Sequence, residues 1–595
     1  MALVVFYTRR VREALRKPGK LGIDLLVLLG IGALLGAMLS YTQQVSKPYT
    51  ATVHISLLLS SLPKYTLFSL SRGFAAYALS LVFTLIYGTI AAHNHRAEKI
   101  MLPALDVLQS IPVLGFLPGV VMAMVLLFPT RQIGLEIACV VMIFTAQVWN
   151  MTFSYHGSVR GIPSALREVA AVNRLSGWQI FKLLEVPASM IGLVWNSMMS
   201  MAGGWFLLSI EEAFTLGPGR DFRLPGLGSY MSQATSEFDP HVWATYRPIL
   251  GAVIAMIIMI VAVDQLFWRP IVVWSQRFKL EDTSEADKPQ SWVLNLLQMS
   301  AFWNWIGSLW ARREKRLVSK RNRQPKKLVE SVQSIEKASA ARKKYFSVIN
   351  WLIVCLLVVG AAAGAWKLLH LLIRLSGHDW LRVSLALLAS FARTSAAVLI
   401  GAMWALPVGV LIGLSPKWSQ RMQPIIQVVA SFPAPMLFPL VTLAIVAWHI
   451  PFTTGCVVLM LMGTQWYILF NVIAGATAIP ADLKEAAHVY AMSRWQKWTR
   501  LYVPCVFPYL VTGLITAAGG AWNATIVSEY VQVGQNSQPL VAFGLGSIIS
   551  QATADANFPL LTASIVLMAI FVVIVNRIFW KRLYRLAEDR YSLNT

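Results

Sequence analysis

Apolar residues run along this chain in stretches of about 20, the length that carries a helix across a bilayer. The stretches fall near 22–41, 69–92, 104–128, 133–152, 187–211 and 248–275. They recur near 346–370, 391–414, 425–447, 451–475, 504–528 and 557–580. The pattern predicts an all-α integral membrane protein with twelve transmembrane helices, arranged as two tandem six-helix halves. It divides the chain into a first half, 1–276, a polar linker, 277–345, and a second half, 346–595.

Charge orients the spans. Arg9, Arg10, Arg12, Arg16, Lys17 and Lys20 precede the first stretch, which is too long for the core of a cleavable signal. Counting crossings from a cytoplasmic N-terminus puts the basic middle of the linker, 312–344, on the same side. It puts Arg577, Lys581, Arg582 and Arg585 there too. Both termini are therefore expected in the cytoplasm. The front of the linker, Trp292 to Trp310, alternates tryptophan and leucine with polar residues and suits a helix lying in the interface. The linker reads as a tether between halves or as a lipid-sensing arm.

Composition supports a membrane location. Of 595 residues, 56% are hydrophobic and 13% charged, with mean hydropathy +0.60. A soluble domain carries roughly 25% charged residues. The net charge of +24 would suggest nucleic acid in a soluble chain. Here it reflects the positive-inside bias, and membrane lipid rather than nucleic acid is the expected partner. Cys139, Cys355, Cys456 and Cys505 lie far apart in or beside apolar runs, as small buried hydrophobes do. No metal site is expected, since His93 and His95 alone are weak evidence for one.

The two halves repeat each other. Ser110-Ile-Pro112 and Pro118 match Ser431-Phe-Pro433 and Pro439, and Arg72 matches Arg393. Ala202-Gly203-Gly204-Trp205 resembles Ala518-Gly519-Gly520-Ala-Trp522, and Glu211 aligns with Glu529. An even number of spans between equivalent points gives both halves one orientation, so a path can form between them.

A second repeat lies between the fourth and fifth spans of each half, at about 160–187 and 478–504. Glu168, Ala170, Ser176, Trp178 and Pro187 correspond to Glu485, Ala487, Ser493, Trp495 and Pro504. Each segment predicts a short helix, a turn, a second helix and a proline at membrane entry. A short helix outside the membrane persists only when something packs on it. Two equivalent hairpins imply two equivalent cytoplasmic partners.

Glu-x-Ala, with Ser at +8, Trp at +10 and Pro at +19, resembles the EAA loop of binding-protein-dependent ABC importer permeases. The resemblance covers both halves, in the fused double-permease form. Ala-Ser-Phe-Pro-Ala-Pro at 430–435, the run 518–523 and Ser528-Glu529-Tyr530 are most similar to the nitrate, sulfonate, taurine and bicarbonate branch. It implies a type I importer fold in a bacterial inner membrane. It implies two cytoplasmic ATPase subunits that carry ATP and Mg, an extracytoplasmic solute-binding protein, and a small oxyanion as substrate. It also implies that the EAA residues named above couple to the ATPases. At +6 the family usually has Gly. Here Arg174 and Ala491 stand there, and Gly177 is the expected source of the turn in the first hairpin.

The chain has no GxxxxGK[ST] and no nucleophile–base motif, so it reads as a transport subunit rather than an enzyme. Prolines 112, 118, 433, 435 and 439 break the third span of each half. Such breaks are tolerated where backbone lines a cavity or is buried in protein. Gln109, Ser110, Pro112, Ser431, Pro433, Trp205, Trp522 and Asn523 are the candidate path residues. Gly203, Gly204, Gly519 and Gly520 read as close packing or a midline gate. Glu211, Glu212 and Glu529 lie near outer span ends, where they are expected to anchor an external gate, form structural hydrogen bonds, pair with basic residues such as Arg220 or hold a cation; Glu136 has no evident equivalent and receives no role. An ion-driven secondary carrier of two six-helix repeats also explains the tandem halves, but not the paired hairpins.

Overall fold

The computed structural model describes residues 18–48, 50, 53–110, 112–173, 175–215, 221–239, 241–278, 291–300, 359–360, 362–534 and 538–591. The first half contains α1 (Pro18–Val45), α2 (Leu62–His93), α3 (His95–Ser110), α4 (Leu117–Leu127), α5 (Ile133–Arg160), α6 (Ser164–Val172), α7 (Gly177–Ile180) and α8 (Val186–Glu211). A hairpin of β1 (Ala213–Thr215) and β2 (Asp221–Arg223) follows, then α9 (Leu227–Ser236), α10 (Tyr246–Val263) and α11 (Arg269–Ser275). The linker contributes α12 (Trp292–Met299).

The second half repeats the order. It comprises α13 (Gly377–Leu414), α14 (Pro416–Ser431), α15 (Phe438–Ala447), α16 (Phe452–Thr477), α17 (Ala481–Val489), α18 (Arg494–Lys497) and α19 (Val503–Ser528). The hairpin β3 (Tyr530–Val531) and β4 (Leu540–Val541) precedes α20 (Leu545–Ala554), α21 (Phe558–Val575) and α22 (Lys581–Tyr591). The chain forms two compact units: 1–38 with 290–374, and 39–289 with 375–595.

Among the described residues eight helices are long and apolar enough to cross a membrane, and two bent pairs raise the number to ten. These coincide with ten of the expected spans. The first expected span falls on α1, and most of the seventh lies outside the described residues, as does the linker middle. The bent pairs are the proline breaks. The chain turns by 85° between His95–Gln109 and Val113–Leu127, and by 75° between Pro424–Ser431 and Ala434–Ala447. Pro112 and Pro433 sit there in extended backbone, with φ −62° and −69°. Proline removes an amide donor and disfavours helix in the residue before it, so the break follows from sequence.

Four five-residue π-turns also pair between halves. Phe181–Glu185 and Trp498–Tyr502 lead into α8 and α19, and Asp264–Trp268 and Asn576–Trp580 interrupt the sixth spans. Met142, Ile143, Met201, Leu208 and Met256 form the core of the first half, and Ile468, Leu469, Val472, Ala517 and Ala521 that of the second. A further cluster crosses between them, packing Leu114 and Leu207 against Trp522, Ile526 and Leu561.

Candidate transport path and coupling hairpins

A cavity of about 140 Å³ lies between the halves, with room for several waters or a solute of a few heavy atoms. Gln109 and Asn523, two of the candidate path residues, line it together with Gly203, Gly519 and Gly520. Thr145, Asn150, Ser200, Tyr467 and Thr516 add neutral hydrogen-bonding groups, and Phe206 and Trp149 supply aromatic walls. No charged side chain is among its lining residues. The broken span enters this wall directly. The Val113 amide, freed at the Pro112 break, donates to Asn523 Oδ1 of the other half at 2.8 Å. Asn523 thus caps broken backbone as well as lining the cavity. Its structural counterpart, one residue after the matching tryptophan, is Phe206.

Several candidate path residues lie elsewhere. Trp205 is buried with its ring against Gly73, so it packs and does not plug the path. Trp522 is largely buried, at 6.4 Å from Phe391 and 5.9 Å from Phe571 between ring centroids, and borders not the central cavity but a neighbouring space of about 240 Å³. Gly204 faces Gln147, where a Cβ would overlap the amide; it is a packing glycine. Ser431 borders a separate void of about 10 Å³ beside Trp205. Pro433 and Pro112 are buried at their breaks. Ser110 ends α3, and its side chain lies outside the described residues.

The acidic residues at the ends of the fifth spans form locks of one design. Glu212 Oε1 accepts from Arg72 Nη1 at 2.6 Å and from Ser69 Oγ at 2.7 Å, and its Oε2 accepts the Gly228 amide at 2.7 Å. Glu529 Oε1 accepts from Arg393 Nη1 and Ser390 Oγ, both at 2.7 Å, and Oε2 accepts the Gly546 amide at 2.8 Å. Each carboxylate therefore sits at the N-terminus of a short helix, α9 or α20, where the dipole and free amides favour an anion. Glycine is required beside it: a Cβ at Gly226 or Gly544 would overlap the carboxylate. The counterpart of Glu529 is thus Glu212, not Glu211 as the alignment suggested. Glu211 is buried, with no hydrogen-bond partner among the described residues, and Arg220 lies outside them.

Glu136 has a role the sequence did not reveal. It takes a bidentate pair from Arg72, Nε to Oε2 at 2.6 Å and Nη2 to Oε1 at 2.8 Å, and accepts from Tyr41 Oη at 3.0 Å. Arg72 is fully buried and neutralised by two carboxylates, whereas Arg393 meets one.

The coupling hairpins share one local geometry. In the second, the Met492 amide donates to Ala487 O at 3.1 Å and the Ala491 amide to His488 O at 3.0 Å, the pattern of a Schellman cap. Ala491 takes the left-handed conformation this cap needs, with φ 48°. That is the +6 position where glycine is usual. In the first, Leu175 donates to Ala170 O at 3.1 Å, the equivalent bond. Gly177 does not supply the turn; it is the first residue of α7. Ser176 and Ser493 open the second helices in capping boxes: each backbone amide donates to Oε1 of Gln179 or Gln496 at 2.8 Å.

Exposure separates the motif residues. Glu168, Glu485, Trp178 and Trp495 are exposed. Ala170 and Ala487 are buried and hold the helices to their own bundle, so they are not surface docking residues. The outward face carries residues the motif did not single out: Val172 at 82% exposure, Val489 at 83% and Tyr490 at 80%.

Tandem bundles with a shared cavity and paired hairpins define a membrane transport permease. The chain belongs to the family described as binding-protein-dependent transport system inner membrane component, which matches residues 84–267 and 397–593, together more than half of the chain. It is similar to the nitrate import permease protein NrtB of Leptolyngbya laminosa, 30% identical over 146 residues, covering 24% of this chain and 51% of the relative. The bicarbonate transport system permease protein CmpB of Synechococcus elongatus is 31% identical over 147 residues, 25% of this chain and 51% of the relative. The taurine transport system permease protein TauC of Escherichia coli is 24% identical over 190 residues, 32% and 65%. The chain spans about half the length of the first two of these relatives.

Proposed function

We propose that this chain is the fused double permease of an ABC importer and moves a small oxyanion, such as nitrate, bicarbonate or a sulfonate, by ATP-driven alternating access. One observation carries the reading: two hairpins of the same capped geometry, each presenting an acidic residue and bare apolar side chains. That symmetry suits two ATPase subunits, which bring ATP and Mg. The hairpins then lie in the cytoplasm with both termini, and an extracytoplasmic binding protein delivers solute to the opposite face. The names of the relatives support the oxyanion. The neutral central cavity supports a path that passes its solute on rather than holding it, with selection exercised by the binding protein.

The hairpin exposure directs the test. Purified chain is mixed with the ATPases encoded beside its gene, and complex formation is measured for the wild type, Glu168→Ala/Glu485→Ala and Val172→Asp/Val489→Asp. Both double variants are expected to weaken the complex by tenfold or more, since central interface residues cost about 2 kcal/mol. A wild type that binds no ATPase, or variants that bind unchanged, would sink the proposal.

A further inference from the structure

The halves differ in charge where their sixth spans end. The π-turns Asp264–Trp268 and Asn576–Trp580 occupy equivalent places. Residues after the first are Arg269, Pro270 and Val273; the equivalents in the second are Lys581, Arg582 and Arg585, and Gln265 becomes Arg577. In the first half Asp264 and Trp268 of this region border a void of about 10 Å³ beside Ser431. In the second half it opens into a cavity of about 510 Å³, where Arg577, Lys581, Arg582 and Arg585 face Asp106 of α3 and Phe153 of α5. Four cations meet one carboxylate, against a partly apolar wall.

The cavity is not isolated. A neighbouring space of about 240 Å³ shares Asp106, Arg577 and Lys581 with it. That space shares Gln109 and Gly519 with the central cavity. A chain of voids therefore runs from the neutral centre to one cationic mouth. The mouth lies toward the coupling hairpins, since α22 packs Tyr591 against Phe507 in the first turns of α19, 5.1 Å between centroids. Clustered cations beside low-dielectric walls focus potential and concentrate anions. Arginine in particular pairs with phosphate-like oxyanions through its planar fork.

We infer that Arg577, Lys581, Arg582 and Arg585 form an oxyanion-binding vestibule, its cations all from the second half, at the hairpin end of the path. Its ligand is a phosphate-type oxyanion, either free in solution or carried on the headgroup of an anionic lipid. The vestibule's place on the path rests on the importer reading, but its equilibrium binding needs no ATPase, so the failure of one is read separately from the failure of the other.

The full chain, purified in a neutral detergent, is titrated in one arm with inorganic phosphate and in the other with phosphatidylglycerol. Binding is read by calorimetry and by native mass spectrometry. At about 1 kcal/mol per basic residue, each charge removed is expected to weaken binding about fivefold. Arg577→Gln/Lys581→Gln/Arg582→Gln/Arg585→Gln should therefore abolish measurable binding, while Arg269→Gln at the mirrored position leaves it intact. Asp106→Asn should tighten it, a gain that misfolding cannot produce. Phosphate binding alone identifies a free-anion site, lipid binding alone a headgroup site, and both a shared one. Absence of binding in both arms overturns the inference, as does binding indifferent to the quadruple variant and to Asp106→Asn.

Discussion

Arg72 and Arg393 stand at the same place in the repeat but hold different loads. Arg72 is fully buried between Glu136 and Glu212; Arg393 retains some exposure and, among the described residues, pairs with one carboxylate, Glu529. Breaking a buried ion pair costs about 3–5 kcal/mol, because the partner charge is left uncompensated. Arg72→Met strands two carboxylates. It should lower the unfolding temperature in detergent markedly more than Arg393→Met, and equal losses would contradict this account. At Ala491 the opposite sign is expected. An alanine in the left-handed region is strained by about 1 kcal/mol, so Ala491→Gly should stabilise the hairpin. Slower hydrogen exchange at the Met492 amide would report it; faster exchange would count against the cap. These details were only partly legible. Arg72, Arg393 and Glu529 were visible as repeated residues, but Glu211 and Glu212 are adjacent. One residue of helical register decides which of them meets the arginine.

At the scale of elements, the coupling hairpins were the most readable part of the chain. Their turns are local: a capping serine, a helix start and a proline exit all act within a few residues. Ser493→Ala should therefore cost about 1 kcal/mol locally. It should speed exchange of the Gln496 amide, which donates to Ser493 Oγ at 3.3 Å, without moving the spans. Unchanged exchange there would show that the cap is dispensable. Which face of each hairpin looks outward was less readable. Ala170 and Ala487 are repeated because small residues fit under the helix, while Val172, Val489 and Tyr490 point away. Repetition in sequence marks both inward and outward residues, and only packing separates them.

Across the whole molecule the two halves share a design without being equivalent. The central wall contains Asn523 on one side and Phe206 on the other, and Asn523 binds the broken backbone of the opposite half. Asn523→Phe would make the pair symmetric, leave the Val113 amide without its partner and fill part of a cavity of only about 140 Å³. A lost buried hydrogen bond costs about 1–3 kcal/mol. Solute uptake by reconstituted vesicles should fall severely while the ATPase complex still assembles. Normal uptake would remove the cavity from the path. By contrast, Trp205→Phe should leave uptake largely intact, because that ring packs against Gly73 away from the cavity.

By itself the sequence determined ten of the spans, their tandem repeat, the proline breaks and the two hairpins. Each of these follows from interactions within one stretch of chain: apolar length against bilayer thickness, proline against helix, and cap residues against free amides. The tertiary structure alone decided which glutamate locks to which arginine. It turned Trp205 and Trp522 into core, brought Glu136 to Arg72, and gathered the cations of the last helix around a cavity. Those outcomes depend on which faces of distant helices meet, and helical periodicity places residues on a face without saying what that face will touch.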